Sequence, residues 1–163
     1  KIQNSAILFL SEKMMEKENA GIAYHVSQIL YESCHFESMI KIYRRMCEES
    51  ERKPSRVFIG VTPILDARNL TYIEGLGAVV PEDVKAKVLS DNNAARITER
   101  SGSQIIEMLQ IFFDRAYAVH PDSRFGVYAE TIRMKDVNAY VDFFGRMREA
   151  LKIYRSFGIK EKV

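Results

Sequence analysis

Ala20-Gly21-Ile22-Ala23-Tyr24-His25-Val26-Ser27-Gln28 follows a charged stretch, Glu12 to Asn19. The small residue and the glycine stop a helix. β-Branched and aromatic residues then begin a buried strand, which closes on a lone glutamine. A helix that passes through a tight turn into a strand is the working unit of a parallel α/β sheet. In such sheets ligands sit at the C-terminal ends of the strands, so Gln28 marks a candidate site.

Outward from that run, hydrophobic periodicity alternates between two repeats. It predicts a helix over 5–19 and a strand from Ile22 to Leu30. A helix over 36–50 follows, with Phe36, Met39, Ile40, Tyr43, Met46 and Cys47 on one face. Pro54 breaks that pattern, and Arg56 to Pro63 reads as a second strand ended by its proline. Helices are predicted from Asp66 to Leu76, from Pro81 to Leu89 and over 93–118. Gly77 is a helix stop, and Pro81-Glu82-Asp83 is a helix start. Phe125 to Glu130 is a third strand. Lys135 to Phe157 is a last helix with Val137, Tyr140, Val141, Phe144, Met147, Leu151 and Tyr154 as its stripe.

The order α-β-α-β-α-α-α-β-α implies parallel pairing through right-handed crossovers. Parallel sheets need both faces covered and more strands than three. A complete (β/α)8 barrel takes about 250 residues, against 163 here. The expected fold is therefore α/β: a single domain over 1–163, the C-terminal portion of a TIM-type (β/α)8 barrel with three βα units. A small doubly wound domain is the alternative. The chain begins on Lys1 rather than methionine, which points to processing or to a longer parent chain.

Composition narrows the function classes. Apolar residues make up 47% and charged residues 28% of the chain, with a net charge of +2. Acids and bases are interleaved, as in Glu48-Glu49-Ser50-Glu51-Arg52-Lys53, so no basic stripe for nucleic acid is present. The apolar run Ala6 to Leu10 is too short for a membrane span or a signal segment. Cys34 and Cys47 read as reduced thiols without zinc-ligand spacing, and no metal is expected. The expected setting is cytoplasmic.

Gln28, Thr62 and Glu130 fall at the C-terminal ends of the three strands. If the strands are parallel neighbours, these side chains rise from one rim. A glutamine both donates and accepts, so it can grip a planar, amide-like heterocycle. The competing reading is that each of the three satisfies loop backbone. His25 reads as a core or interface histidine, and His35 and His120 as loop residues. Ser101-Gly102-Ser103 lacks the context of a phosphate loop and reads as a cap or break at the start of the long helix.

The run Lys17-Glu18-Asn19-Ala20-Gly21 with Ala23-Tyr24-His25-Val26-Ser27-Gln28 resembles the K-x-x-A-G-A-x-x-x-I-T-Q stretch of methylenetetrahydrofolate reductases. Phe58 to Ile64 is similar to that family's P-G-I-x-P-V strand, and Leu76 to Glu82 to its C-G-A-x-I-P turn. Val127 to Thr131 is similar to its last barrel strand. The ordered set spans Glu12 to Leu151. The resemblance implies a flavin-dependent barrel that passes hydride from NADH or NADPH through FAD to 5,10-methylenetetrahydrofolate, giving 5-methyltetrahydrofolate. By position it implies folate or nicotinamide contact for Gln28, flavin contact for Lys17 and a place beside the ligand rings for Tyr31. Asn69 falls where the family has a folate-binding glutamine, and Arg133 near a substrate-binding arginine. Lys13 and Glu16 depart from the flavin-holding pattern, and the barrel half that carries the general acid is absent from the sequence. The expected function is thus an incomplete reductase-like segment. The alternative is a non-catalytic binding or assembly half-barrel that pairs with itself or with a complementing chain.

Overall fold

Arg56-Val57-Phe58-Ile59-Gly60-Val61 forms the middle strand of the sheet. The computed structural model describes residues 2–91, 93–133 and 136–156. Its elements are α1 (Ile2–Asn19), β1 (Tyr24–Ile29), α2 (Cys34–Glu49), β2 (Arg56–Val61), α3 (Ala67–Gly75), α4 (Glu82–Val88), α5 (Ala94–Val119), β3 (Phe125–Ala129) and α6 (Val137–Ala150), then a 3-10 turn, Lys152–Ser156. The strands pair in parallel in the order β1-β2-β3. The element order and the parallel sheet are those the sequence predicts. Three strands do not close a barrel: among the described residues, β1 and β3 each keep one unpaired edge. Lys135 and Phe157, the expected ends of the last helix, lie outside the described residues.

One face of the sheet carries the core. Val57, Ile59 and Val61 are buried with Phe36, Ile40, Tyr43 and Cys47 of α2 and with Ile105, Leu109, Phe112 and Phe113 of α5. The Phe112 ring meets Phe125 at 5.0 Å and Phe36 at 5.4 Å, which ties both helices to β3. Each such fully buried aromatic contributes on the order of 2 kcal/mol from area removed from water.

The opposite face is largely open, which corrects the expectation of a buried first strand. His25 and Ile29 of β1 are buried, while Tyr24 and Val26 between them are 55% and 51% exposed. The strand alternates because helices cover one side only. On the open face two aromatics pack closely against glycines of the neighbouring strand. A Cβ at Gly126 would come within 2.5 Å of the Phe58 ring, and one at Gly60 within 2.6 Å of the Tyr128 hydroxyl.

Two further corrections concern helices. Ser101-Gly102-Ser103 lies inside α5 rather than at its start. Small residues are needed there because α6 crosses closely: a Cβ at Gly102 would stand 3.1 Å from the Phe143 ring. On α6 the buried side chains are Tyr140 and Phe143, while Val137 and Val141 of the expected stripe are exposed. No helix of the described residues is long and apolar enough to cross a membrane.

Replacing Gly60 with alanine drives a methyl into the Tyr128 hydroxyl, so an overpacking loss of about 1–3 kcal/mol is expected. Urea denaturation of the G60A variant checks it, and an unchanged midpoint would contradict this packing.

Candidate functional site

The C-terminal rim is built around an irregularity in β1. Val26 pairs with Phe58 and Ile29 with Gly60, so β1 carries one residue more than β2 over this interval. Ser27 and Gln28 form the bulge. Ser27 Oγ takes the place of a ladder carbonyl and accepts the Gly60 N–H at 2.9 Å. The ladder resumes when Leu30 N–H donates to Gly60 O at 2.9 Å. Bulges of this kind re-aim side chains, and they recur beside functional sites.

Tyr128 reaches across Gly60 towards this bulge. Its hydroxyl lies 3.0 Å from both the Ser27 carbonyl oxygen and Glu130 Oε1, and its single proton serves one of them at a time. Burial, then the Glu130 carboxylate, pushes the phenol up to about 12, so it stays a proton donor at neutral pH. Gln28 is exposed beside the α3–α4 turn. A Cβ at Gly77 would stand 3.6 Å from Gln28 Oε1, and Gly77 has a φ of +91° that favours glycine. The α3–α4 segment therefore comes down beside the β1 end of the rim.

Behind this surface two of the expected contact residues are buried and hydrogen-bonded to loop backbone. Tyr31 is 2% exposed and donates to Thr62 O at 2.8 Å; Thr62 is fully buried and its Oγ1 donates to Glu130 O at 2.8 Å. Both hydroxyls are spent on loop carbonyls. They peg the three post-strand loops together, which is the loop-backbone reading weighed for the rim residues. Leaving the Thr62 carbonyl without Tyr31 would strand a buried acceptor, at a cost of about 1–3 kcal/mol.

Asn69 and Arg133 sit where the second and third strands hand over to helices. Asn69 is 1% exposed. Its Oδ1 accepts the Leu65 N–H at 3.0 Å and its backbone N–H donates to Asp66 Oδ1 at 2.6 Å, capping α3. Its Nδ2 is buried without a partner among the described residues. Arg133 bridges Asp66 at 2.9 Å and Asp136 at 2.7 Å, so its charge is already balanced. Burial would raise the Asp66 carboxyl, but the Asn69 N–H and the Arg133 guanidinium outweigh it and hold it below its ordinary range.

Lys17, the flavin contact implied by the resemblance, is exposed near the end of α1. That helix leads into the N-terminal end of β1. Gln28 lies at the other end, roughly 17 Å along an extended strand. Lys17 and Gln28 therefore stand towards opposite ends of β1.

Several other titratable groups are paired. His25 Nε2 lies 3.0 Å from Glu18 Oε1, and Tyr43 also donates to that oxygen. This buried histidine thus has an acid partner that sequence spacing did not reveal. His35 belongs to α2 rather than to a loop, while His120 follows α5 as expected. Cys34 Sγ donates to Glu32 Oε2 at 2.7 Å, and that carboxylate, then burial, pushes the thiol up. Cys34 is therefore no ready thiolate nucleophile. A groove of about 340 Å³ lies elsewhere, between α2 and α5, lined by Ile40, Phe112, Ala116, Val119 and Phe125. It opens on the helical side, near the N-terminal end of β3, away from the rim.

No family model and no curated protein matches the sequence. Solved structures match the fold. An uncharacterized protein from Clostridium thermocellum, which binds two copies of 5-methyl-5,6,7,8-tetrahydrofolic acid, superposes with a TM-score of 0.60 at 14% identity. The match covers 88% of this chain and 47% of that one, so the chain spans about half the length of its structural neighbour. At this identity the likeness shows a shared fold.

The depressed Asp66 carboxyl gives a sign-definite expectation. Its pairing with Arg133 contributes stability that is fully present above the ordinary carboxylate range and is lost as pH falls through the lowered folded value. Wild type should exceed D66N in thermal stability at neutral pH, and the gap should close in acid. A gap independent of pH would contradict the pairing.

Proposed function

We propose that the C-terminal rim binds a reduced folate through its pterin ring. The carrying observation is the unpartnered, buried Nδ2 of Asn69 on the same rim as the exposed amide of Gln28 and the carboxylate of Glu130. A pterin presents amino and ring N–H donors along one edge, with a carbonyl acceptor beside them. A carboxylate matches the donors and an amide N–H matches the carbonyl, and hydrogen bonds to an ionised group are the stronger ones. The folate bound by the structural neighbour, and the resemblance of the Ala20–Gln28 run to folate-reducing barrels, point to the same ligand class.

The reading stops at binding. Hydride transfer through FAD needs a flavin site and a general acid, and Lys17 stands at the far end of the sheet. A flavin titration tests that extension directly: quenching of FAD fluorescence by the chain would support it.

A second reading concerns assembly. Tyr24 and Val26 are exposed on a face that parallel sheets normally cover, and both sheet edges are unpaired among the described residues. A second copy of the chain covering this face would bury them. Light scattering should then report a dimer that V26K converts to monomer; a wild-type monomer would overturn this reading.

Calorimetric titration with 5-methyltetrahydrofolate tests the folate proposal. Losing a charged hydrogen-bond partner typically costs about 1.5–3 kcal/mol, so E130Q should weaken binding about tenfold or more. Q28A should weaken it by a smaller factor. Absence of binding by wild type, or equal binding by all three proteins, would overturn the proposal.

A further inference from the structure

The junction between β1 and α2 gathers three different metal-ligating groups. Cys34 Sγ lies 3.5 Å from His35 Nδ1 and 2.7 Å from Glu32 Oε2, and His35 Nδ1 lies 2.6 Å from Glu32 Oε1. All three ligand atoms fall within 4.8 Å of one another. The backbone holds the cluster together: the Cys34 N–H donates to Glu32 Oε2 at 2.9 Å, which turns the carboxylate towards the thiol. Glu32 and His35 are 31% and 52% exposed, so the group is open to solvent.

We propose that Glu32, Cys34 and His35 form a three-ligand Zn2+ site at the C-terminal rim, with its fourth position open. Zinc bonds of about 2.3 Å to sulfur and about 2.0–2.2 Å to nitrogen or oxygen give tetrahedral edges of roughly 3.3–3.6 Å. The Cys34–His35 separation already has that length. The two carboxylate contacts are shorter because protons hold them, and those protons leave when a metal takes their place. Thiolate, imidazole and carboxylate together favour zinc over magnesium or calcium, which select oxygen ligands. Three protein ligands with one position left for solvent is the arrangement of a reactive zinc site rather than a closed structural one. The site stands independently of folate binding, since it uses none of Gln28, Asn69 or Glu130.

Cobalt substitution reads this directly. Titrating the chain with Co2+ should give tetrahedral visible bands and a thiolate-to-cobalt charge-transfer band at equimolar metal, both displaced by Zn2+. C34S should lose the charge-transfer band. E32Q and H35A should weaken Zn2+ affinity, and C47S should behave as wild type. Circular dichroism confirms that the variants, altered at a solvent-open cluster, keep the fold. Absence of the band in wild type, its persistence in C34S, or equal Zn2+ affinity in wild type and C34S would overturn the proposal.

Discussion

The rim depends on a single crossing. Tyr128 passes over Gly60 and reaches the Ser27 carbonyl, while Ser27 Oγ takes the Gly60 N–H that the bulge leaves without a ladder partner. Three strands are joined at one level by these contacts. Gly60 must lack a side chain for the phenol to pass, and β1 must carry an extra residue for Ser27 to arrive with its hydroxyl pointing at β2. Gln28, the next residue, is thereby held out at the end of β1, and Glu130 is brought under the Tyr128 hydroxyl. A hydrogen bond missing from this arrangement would leave a buried polar group without a partner, which is why the crossing constrains everything beyond it.

Much of this was legible in the sequence. Ala20-Gly21 before a β-branched run, Pro63 after another and Pro81-Glu82-Asp83 place the elements closely, because turn and cap chemistry is local. Gln28, Asn69 and Glu130 reach the rim because strand ends are set by the same local signals. The bulge was not legible. Nothing in Val26-Ser27-Gln28-Ile29 distinguishes a regular strand from one that gains a residue; that depends on how β2 docks. The roles of Tyr31 and Thr62 were hidden for the same reason. An aromatic and a hydroxyl after strand ends suit a ligand or a buried peg equally, and only the packing of three loops assigns them to the second. Glu32-Ser33-Cys34-His35 lacks any familiar metal spacing, and its convergence comes from the turn into α2.

The open face separates the sequence expectation from the folded chain. Alternation in β1 exposes Tyr24 and Val26 where a closed barrel would bury them. The aromatics on this face make do with glycines: Phe58 lies over Gly126 and Tyr128 over Gly60. That layer of rings against glycine backbone gives the sheet some cover without a second layer of helices. Lys17 falls outside this architecture, towards the other end of β1.

Nuclear magnetic resonance of the labelled chain during titration with 5-methyltetrahydrofolate tests rim binding most directly, because it reports the Asn69 and Gln28 side-chain amides individually. The rim account predicts shifts in both amides, in Gly77 and in Glu130, with the groove between α2 and α5 unmoved. Shifts confined to that groove, or an Asn69 amide that never moves while ligand binds, would contradict it.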